Sequence, residues 1–172
     1  GSGHVKSDAT LAAEIFRKIQ AQAADASGEE VLVHAHPDVA HRLEGEEREV
    51  TCADLLRDTK RLANVLKGRG VGAGDVVGIY LPMIPEVAVA MLACARIGAP
   101  HNVVFGGFSP DAVKERMQFS EAKALITVDE ARRKGKAAPI KPAVDEFLAE
   151  VPSIENVVVV RNTGAEVPMT DG

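Results

Sequence analysis

Apolar and polar positions along this chain fall into two alternating rhythms, one with helical spacing and one with strand spacing. Residues 8 to 25 (DATLAAEIFRKIQAQAAD) place Leu11, Ile15, Phe16 and Ile19 on one helical face, and VLVHAH (31–36) then alternates like a half-buried strand. Residues 37–49 are charged and irregular, the pattern of a loop or an open hairpin connection. Thr51 is placed to cap a helix, with Asp54 completing a capping-box-like start. That helix directs Leu55, Leu56, Leu62, Ala63 and Leu66 inward and stops at Gly68 or Gly70.

After the turn GVGAGD, the run VVGIYL (76–81) is apolar on both faces, as strands buried in a parallel sheet are. A helix follows from Glu86 to Ile97 and ends at Gly98, and NVVF (102–105) is the next strand. Ser109-Pro110-Asp111 reads as a helix start: Ser caps, Pro occupies the first turn, and Asp suits the dipole. The helix runs to about Ser120, followed by the strand ALITV, a basic loop, a helix near 142 to 150, and the strand NVVVV. The order β-α-β-α-β-α-β-α-β predicts an α/β fold, a largely parallel sheet with helices on its faces. Residues 1–27 are set apart as a tag remnant (GSGH) and an N-terminal helix, and 28–172 as the α/β unit.

Composition narrows the function classes. Of 172 residues, 46% are apolar, enough for a core, while aromatics are only 3%, so that core is aliphatic. A net charge of -5 argues against nucleic acid or an anionic membrane as the main partner. The most apolar stretch, VVGIYLPMIPEVAVAMLACA, is interrupted by Pro82, Pro85 and Glu86, whereas a membrane span needs about twenty apolar residues in a row. Cys52 and Cys94 lack CxxC spacing and read as reduced thiols, which points to the cytoplasm.

Candidate chemistry is sparse. Gly106 and Gly107 in VVFGGFS break a strand at its carboxyl end, where ligands of α/β sheets bind, just before the Ser109 helix start. Taken alone, the pair reads first as a tight turn. Gly68, Gly70, Gly72 and Gly74 follow a helix and precede a strand, the reverse of a dinucleotide fingerprint, and no phosphate loop of the G-x-x-x-x-G-K-[ST] kind is present. The segment DEARRKGKAAPIK (129–141) holds five of the twenty Lys and Arg residues, and Arg133, Lys134 and Lys136 surround Gly135. A solvated loop is the plain reading, and a phosphate cradle the functional one. His34 and His36 share a strand face, with His41 beyond, but no carboxylate or cysteine completes a metal set, and His101 reads as structural. Glu29-Glu30 and Glu46-Glu47 read as solvated faces, and no nucleophile–base constellation stands out.

The string IYLPMIPEVAVAMLACARIGAPHNVVFGGFSPDAV resembles AMP-forming acetyl-CoA synthetases, and the likeness runs from about residue 48 to residue 164. Cys52 departs from it, standing where the family usually has an aromatic. The resemblance implies an adenylate-forming N-terminal-domain subdomain. The family joins ATP and acetate into acetyl-AMP, with magnesium accompanying the ATP, and CoA then displaces AMP. It also implies a CoA site lined by Phe105, Gly106 and Gly107. The family's Arg-x-Gly-Arg motif, which contacts the CoA nucleotide, falls on Arg133, Lys134, Gly135 and Lys136. Lys136 replaces the second arginine, keeping the charge but losing bidentate geometry. The family's ATP phosphate loop, acetate pocket and catalytic lysine have no counterpart here, so no catalytic residue is assigned, and ATP and magnesium belong to the full-length enzyme. The expected partners are small-molecule substrates and the remainder of a synthetase chain. Three alternatives stay open: a stand-alone CoA- or nucleotide-binding module, a structural fragment without activity, and a ligase for propionate or another short acyl chain.

Overall fold

The computed structural model describes residues 50–133 and 136–169. The expected helix at 8–25, the strand at 31–36 with His34 and His36, His41, and the pairs Glu29-Glu30 and Glu46-Glu47 lie outside the described residues. Helix α1 (Cys52–Gly68) begins with a capping box: the Thr51 hydroxyl accepts from the Asp54 N–H at 3.0 Å, and the Asp54 carboxylate accepts from the Thr51 N–H. It ends in a Schellman motif. Gly70 takes a left-handed φ of 79°, the Gly70 N–H bonds the Lys67 carbonyl, and the Val71 N–H bonds the Leu66 carbonyl at 3.0 Å.

The helix buries Thr59, Ala63 and Leu66, with Leu62 packed at the margin of the core. Leu55 is half-buried. Leu56 departs from expectation, being 49% exposed. It lies about 60° around the helix from Thr59, at the rim of the buried stripe.

Strand β1 (Val77–Leu81) is buried at every position and forms the centre of the fold. Helix α2 (Glu86–Ile97) leads to strand β2 (His101–Phe105), and helix α3 (Pro110–Phe119), capped by the Ser109 hydroxyl, leads to strand β3 (Ala124–Val128). Two short strands follow, β4 (Glu130–Arg133) and β5 (Lys136–Pro139), then helix α4 (Lys141–Leu148) and strand β6 (Asn156–Val160). β1, β2, β3 and β6 form one sheet in the order β2-β1-β3-β6, every pair parallel. This is the parallel α/β architecture the sequence predicts.

The strand order fixes the layers. From β1 the chain steps one way to β2, then crosses back over β1 to reach β3. Right-handed crossovers therefore put α2 and α3 on opposite faces of the sheet. α1 packs with α2 on one face and α3 with α4 on the other. The core is aliphatic: Leu66, Ile79, Leu81, Met117, Leu125 and Ile126 are its largest fully buried side chains. At roughly 25 cal/mol per Å² of apolar surface removed from water, residues of this size dominate the favourable side of folding.

The basic loop expected after β3 is a correction. Residues 130–139 form an antiparallel hairpin, β4 with β5, separate from the main sheet. Its last pair is Arg133 with Lys136.

Candidate CoA site at the carboxyl edge of the sheet

Because all four main strands run parallel, their carboxyl ends share one edge, and both expected halves of the site leave from it. The glycine turn follows β2 and the basic hairpin follows β3, with the end of β1 between them. At the level of the strands the two are about 10 Å apart, twice the usual strand spacing. β1 and β3 are also the neighbours whose onward connections leave in opposite directions, the arrangement that opens a crevice at the carboxyl ends of α/β sheets.

The glycine turn is fixed from beneath. The Gly106 N–H donates to the Leu81 carbonyl at 2.9 Å, and the Phe108 N–H donates to the Phe105 carbonyl at 3.0 Å. A Cβ on Gly106 would stand 3.0 Å from the Pro82 nitrogen and 3.2 Å from the Leu81 carbonyl carbon. Glycine is favoured at 106 by the chain's own backbone, because the end of β1 presses against the turn. A Cβ on Gly107 would first meet the Phe105 ring, 2.8 Å from its nearest atom, and a ring edge can swing away. The Tyr80 hydroxyl, reaching from β1, donates to the Phe108 carbonyl at 3.0 Å. Phe105 and Phe108 remain about half exposed, and the Arg116 guanidinium lies 5.2 Å from the centre of the Phe108 ring.

Among the residues named from the sequence, Lys136 is exposed on β5; the neighbouring Arg132 is exposed on β4. The Arg133 side chain, Lys134 and Gly135 lie outside the described residues. The register nevertheless sets Arg133 directly opposite Lys136. Both positions carry basic residue types.

A residue not singled out from the sequence governs this region. Asp129, between β3 and β4, is fully buried. Its carboxylate accepts N–H bonds from Glu130 (2.7 Å), Asn162 (2.8 Å), Thr163 (3.3 Å), Gly164 (2.8 Å) and Ala165 (3.1 Å). Burial pushes the Asp129 carboxyl up, but the backbone N–H groups of Asn162, Glu130, Thr163 and Gly164 outweigh it and hold the group below the ordinary aspartate value. Nothing in the side-chain pattern announces this, since nearly all the donors are main-chain groups more than thirty residues downstream. Lys141, at the hairpin's exit, is also buried; its ammonium bonds the Asp145 carboxylate and the Pro168 carbonyl.

The remaining chemistry is quiet. Cys52 and Cys94 are both free thiols. Burial pushes the Cys94 thiol up to about 11, so it stays protonated and unreactive near neutral pH. His101 sits half-buried at the start of β2. Among the described residues no three His, Cys, Asp or Glu side chains gather to hold a metal ion, and no helix is long and apolar enough to cross a membrane.

Residues 19–171 match the family model described as "AMP-binding enzyme". The chain belongs to that family. A curated relative, an acetyl-coenzyme A synthetase of Rubrobacter xylanophilus, is 56% identical over 128 residues, covering 74% of this chain and 20% of the relative. Acetyl-coenzyme A synthetase 2 of Pseudomonas putida is 54% identical over 123 residues, covering 72% of this chain and 19% of the relative. Among solved structures, an acetoacetyl-CoA synthetase from Streptomyces lividans superposes with a TM-score of 0.68 at 36% identity, over 72% of this chain and 19% of the other. The chain spans about a fifth of the length of these AMP-binding enzymes. The family is the one the sequence resembles.

Proposed function

We propose that this chain forms one wall of the CoA site of an AMP-forming acetate–CoA ligase, contributing nucleotide binding and no catalytic group of its own. The observation that carries the reading is the basic hairpin, with Arg133 opposite Lys136, rising from the same sheet edge as the glycine turn. Identity of more than half to acetyl-coenzyme A synthetases supports the ligase assignment. In this reading Lys136 and Arg133, with Lys134 and Gly135 between them, meet the phosphates of the CoA nucleotide. Phe105, Gly106 and Gly107 face the same ligand from the other side of β1. ATP and magnesium act in the complete ligase, on residues other than these. An acetoacetyl-CoA synthetase shares this fold, so the proposal extends to other short-chain acyl–CoA ligases, propionate included. Two free thiols fit a reducing compartment, and we place the protein in the cytoplasm.

A second reading is favoured by one observation. Gly106 is crowded by the Leu81–Pro82 backbone, so the turn needs no ligand to explain its glycine. Under that reading the hairpin alone meets CoA and the turn is structural.

Calorimetric titration of the chain with CoA and with 3′-dephospho-CoA tests both. Binding that weakens without the 3′-phosphate, and weakens again in Lys136→Ala, is the expected result. Equal affinity for the two ligands, or none for either by a folded chain, would reject nucleotide binding at the hairpin. Binding that survives unchanged in Phe105→Ala would favour the second reading.

A further inference from the structure

The hairpin that carries the basic residues does not belong to the main sheet, so something other than sheet pairing has to hold it in place. Its strands are four residues each, and a lone two-stranded hairpin is marginal in water. The bonds that hold it converge on one residue. The Asp129 N–H donates to the Val160 carbonyl at 3.1 Å, tying it to β6. The Asp129 carbonyl accepts from both the Ile140 N–H and the Lys141 N–H at 3.2 Å, so the hairpin's entrance and exit are stapled to the same peptide group. The Asp129 side chain then gathers four successive backbone N–H groups, 162 to 165, into an anion-binding concavity whose anion is part of the protein. That collected loop reaches back to β4: the Asn162 side-chain amide donates to the Glu130 carbonyl at 2.9 Å, and the Thr163 hydroxyl bonds the Glu130 carboxylate at 3.0 Å.

We propose that Asp129 is the positioning residue for the basic hairpin, setting where Arg133 and Lys136 stand at the carboxyl edge and thereby the recognition of the CoA 3′-phosphate. The inference rests on the reading of the hairpin as a nucleotide site. Asp129 itself touches no ligand, since its acceptor positions are filled by the protein's own N–H groups. It acts by ordering the loop 162–165, which in turn clamps the first residue of β4. Asparagine at this place would keep the shape but replace one acceptor oxygen with an NH2 group pointing at N–H donors. The loop would lose its anion and the clamp its tension.

The test compares the unaltered chain, Asp129→Asn and Lys136→Ala by native-state hydrogen exchange and by titration with CoA and 3′-dephospho-CoA. In Asp129→Asn the hairpin amides should lose protection while those of β1 and β3 keep it. Affinity for CoA should fall about tenfold or more, the scale of losing a charged hydrogen-bond acceptor. Affinity for 3′-dephospho-CoA should change little, so the preference for the 3′-phosphate disappears as it does in Lys136→Ala. A merely stabilising role would lower affinity for both ligands alike. Unchanged hairpin protection in Asp129→Asn, or an unchanged preference for the 3′-phosphate, would overturn the proposal. Should Asp129→Asn unfold the whole sheet, Asn162→Ala decides, because it removes only the bond to the Glu130 carbonyl. Loss of protection confined to the hairpin then supports the proposal, and no loss overturns it. If the unaltered chain binds neither ligand, the reading of the site fails, while hydrogen exchange still decides whether Asp129 holds the hairpin.

Discussion

Residues 105–108 and residues 130–139 leave the same edge of the sheet, and they are held in opposite ways. The glycine turn lies on the backbone of β1: Gly106 bonds Leu81, and its missing side chain lets Pro82 come close. Among the described residues no carboxylate takes part, and the one charge against it is the Arg116 guanidinium beside the Phe108 ring. The hairpin touches the core through Ala131 and is tied down by a buried carboxylate that collects backbone N–H groups from another part of the chain. Steric fit makes the turn indifferent to pH and intolerant of volume. Charge makes the hairpin the reverse.

The largest expected break in that comparison is at Asp129. Asp129→Asn should lower stability by about 3 kcal/mol at neutral pH, since a buried, fully hydrogen-bonded charge is lost with its partners left in place. Denaturant melts measure it. The folded-state carboxyl is held below the ordinary 3.8, so its stabilisation is present above that value and lost as pH falls through the lower folded value. The gap between the two proteins should therefore be full above 3.8 and close in more acid solution. A constant gap down to strongly acid pH would show that the charge is not what matters.

Gly106→Ala should come next, at about 2 kcal/mol, because the atoms its methyl meets are backbone and cannot turn aside. The loss should not vary with pH. Tyr80→Phe, which removes the hydroxyl from the Phe108 carbonyl, should cost about 1 kcal/mol in the same melts. Gly107→Ala should cost less than about 0.5 kcal/mol if the Phe105 ring swings aside as its flexibility allows. A cost equal to that of Gly106→Ala would mean the ring is fixed, and the turn more rigid than its hydrogen bonds imply.

These differences also explain what could be read in advance. Signals written in side chains were legible: the Thr51–Asp54 box, Gly98 after α2, Ser109-Pro110 before α3, and the uninterrupted apolar run of β1. The glycine turn was legible as a turn, but its cause was not, because the atoms that exclude a side chain at Gly106 belong to the distant backbone of Leu81 and Pro82. The sequence pattern of the hairpin is that of a loop. EARR and KAAP lack the alternation of a half-buried strand, and the hydrogen bonds that frame them run through the Asp129 backbone. Leu56 shows the limit of helical spacing, which marks a stripe but not its width.

The staple at Asp129 gives the hairpin the character of a cassette. The chain departs from the sheet and returns to α4 at one peptide group, which the Ile140 and Lys141 N–H groups both address. The distance between the segment's two ends is therefore fixed by the frame, whatever lies between them. Lengthening the tip by a few residues adds only a small loop-closure cost, about 0.6 kcal/mol for each doubling of length. On the proposed reading of the site, the contacts the hairpin makes to a ligand can thus be exchanged wholesale, while the sheet beneath keeps its packing.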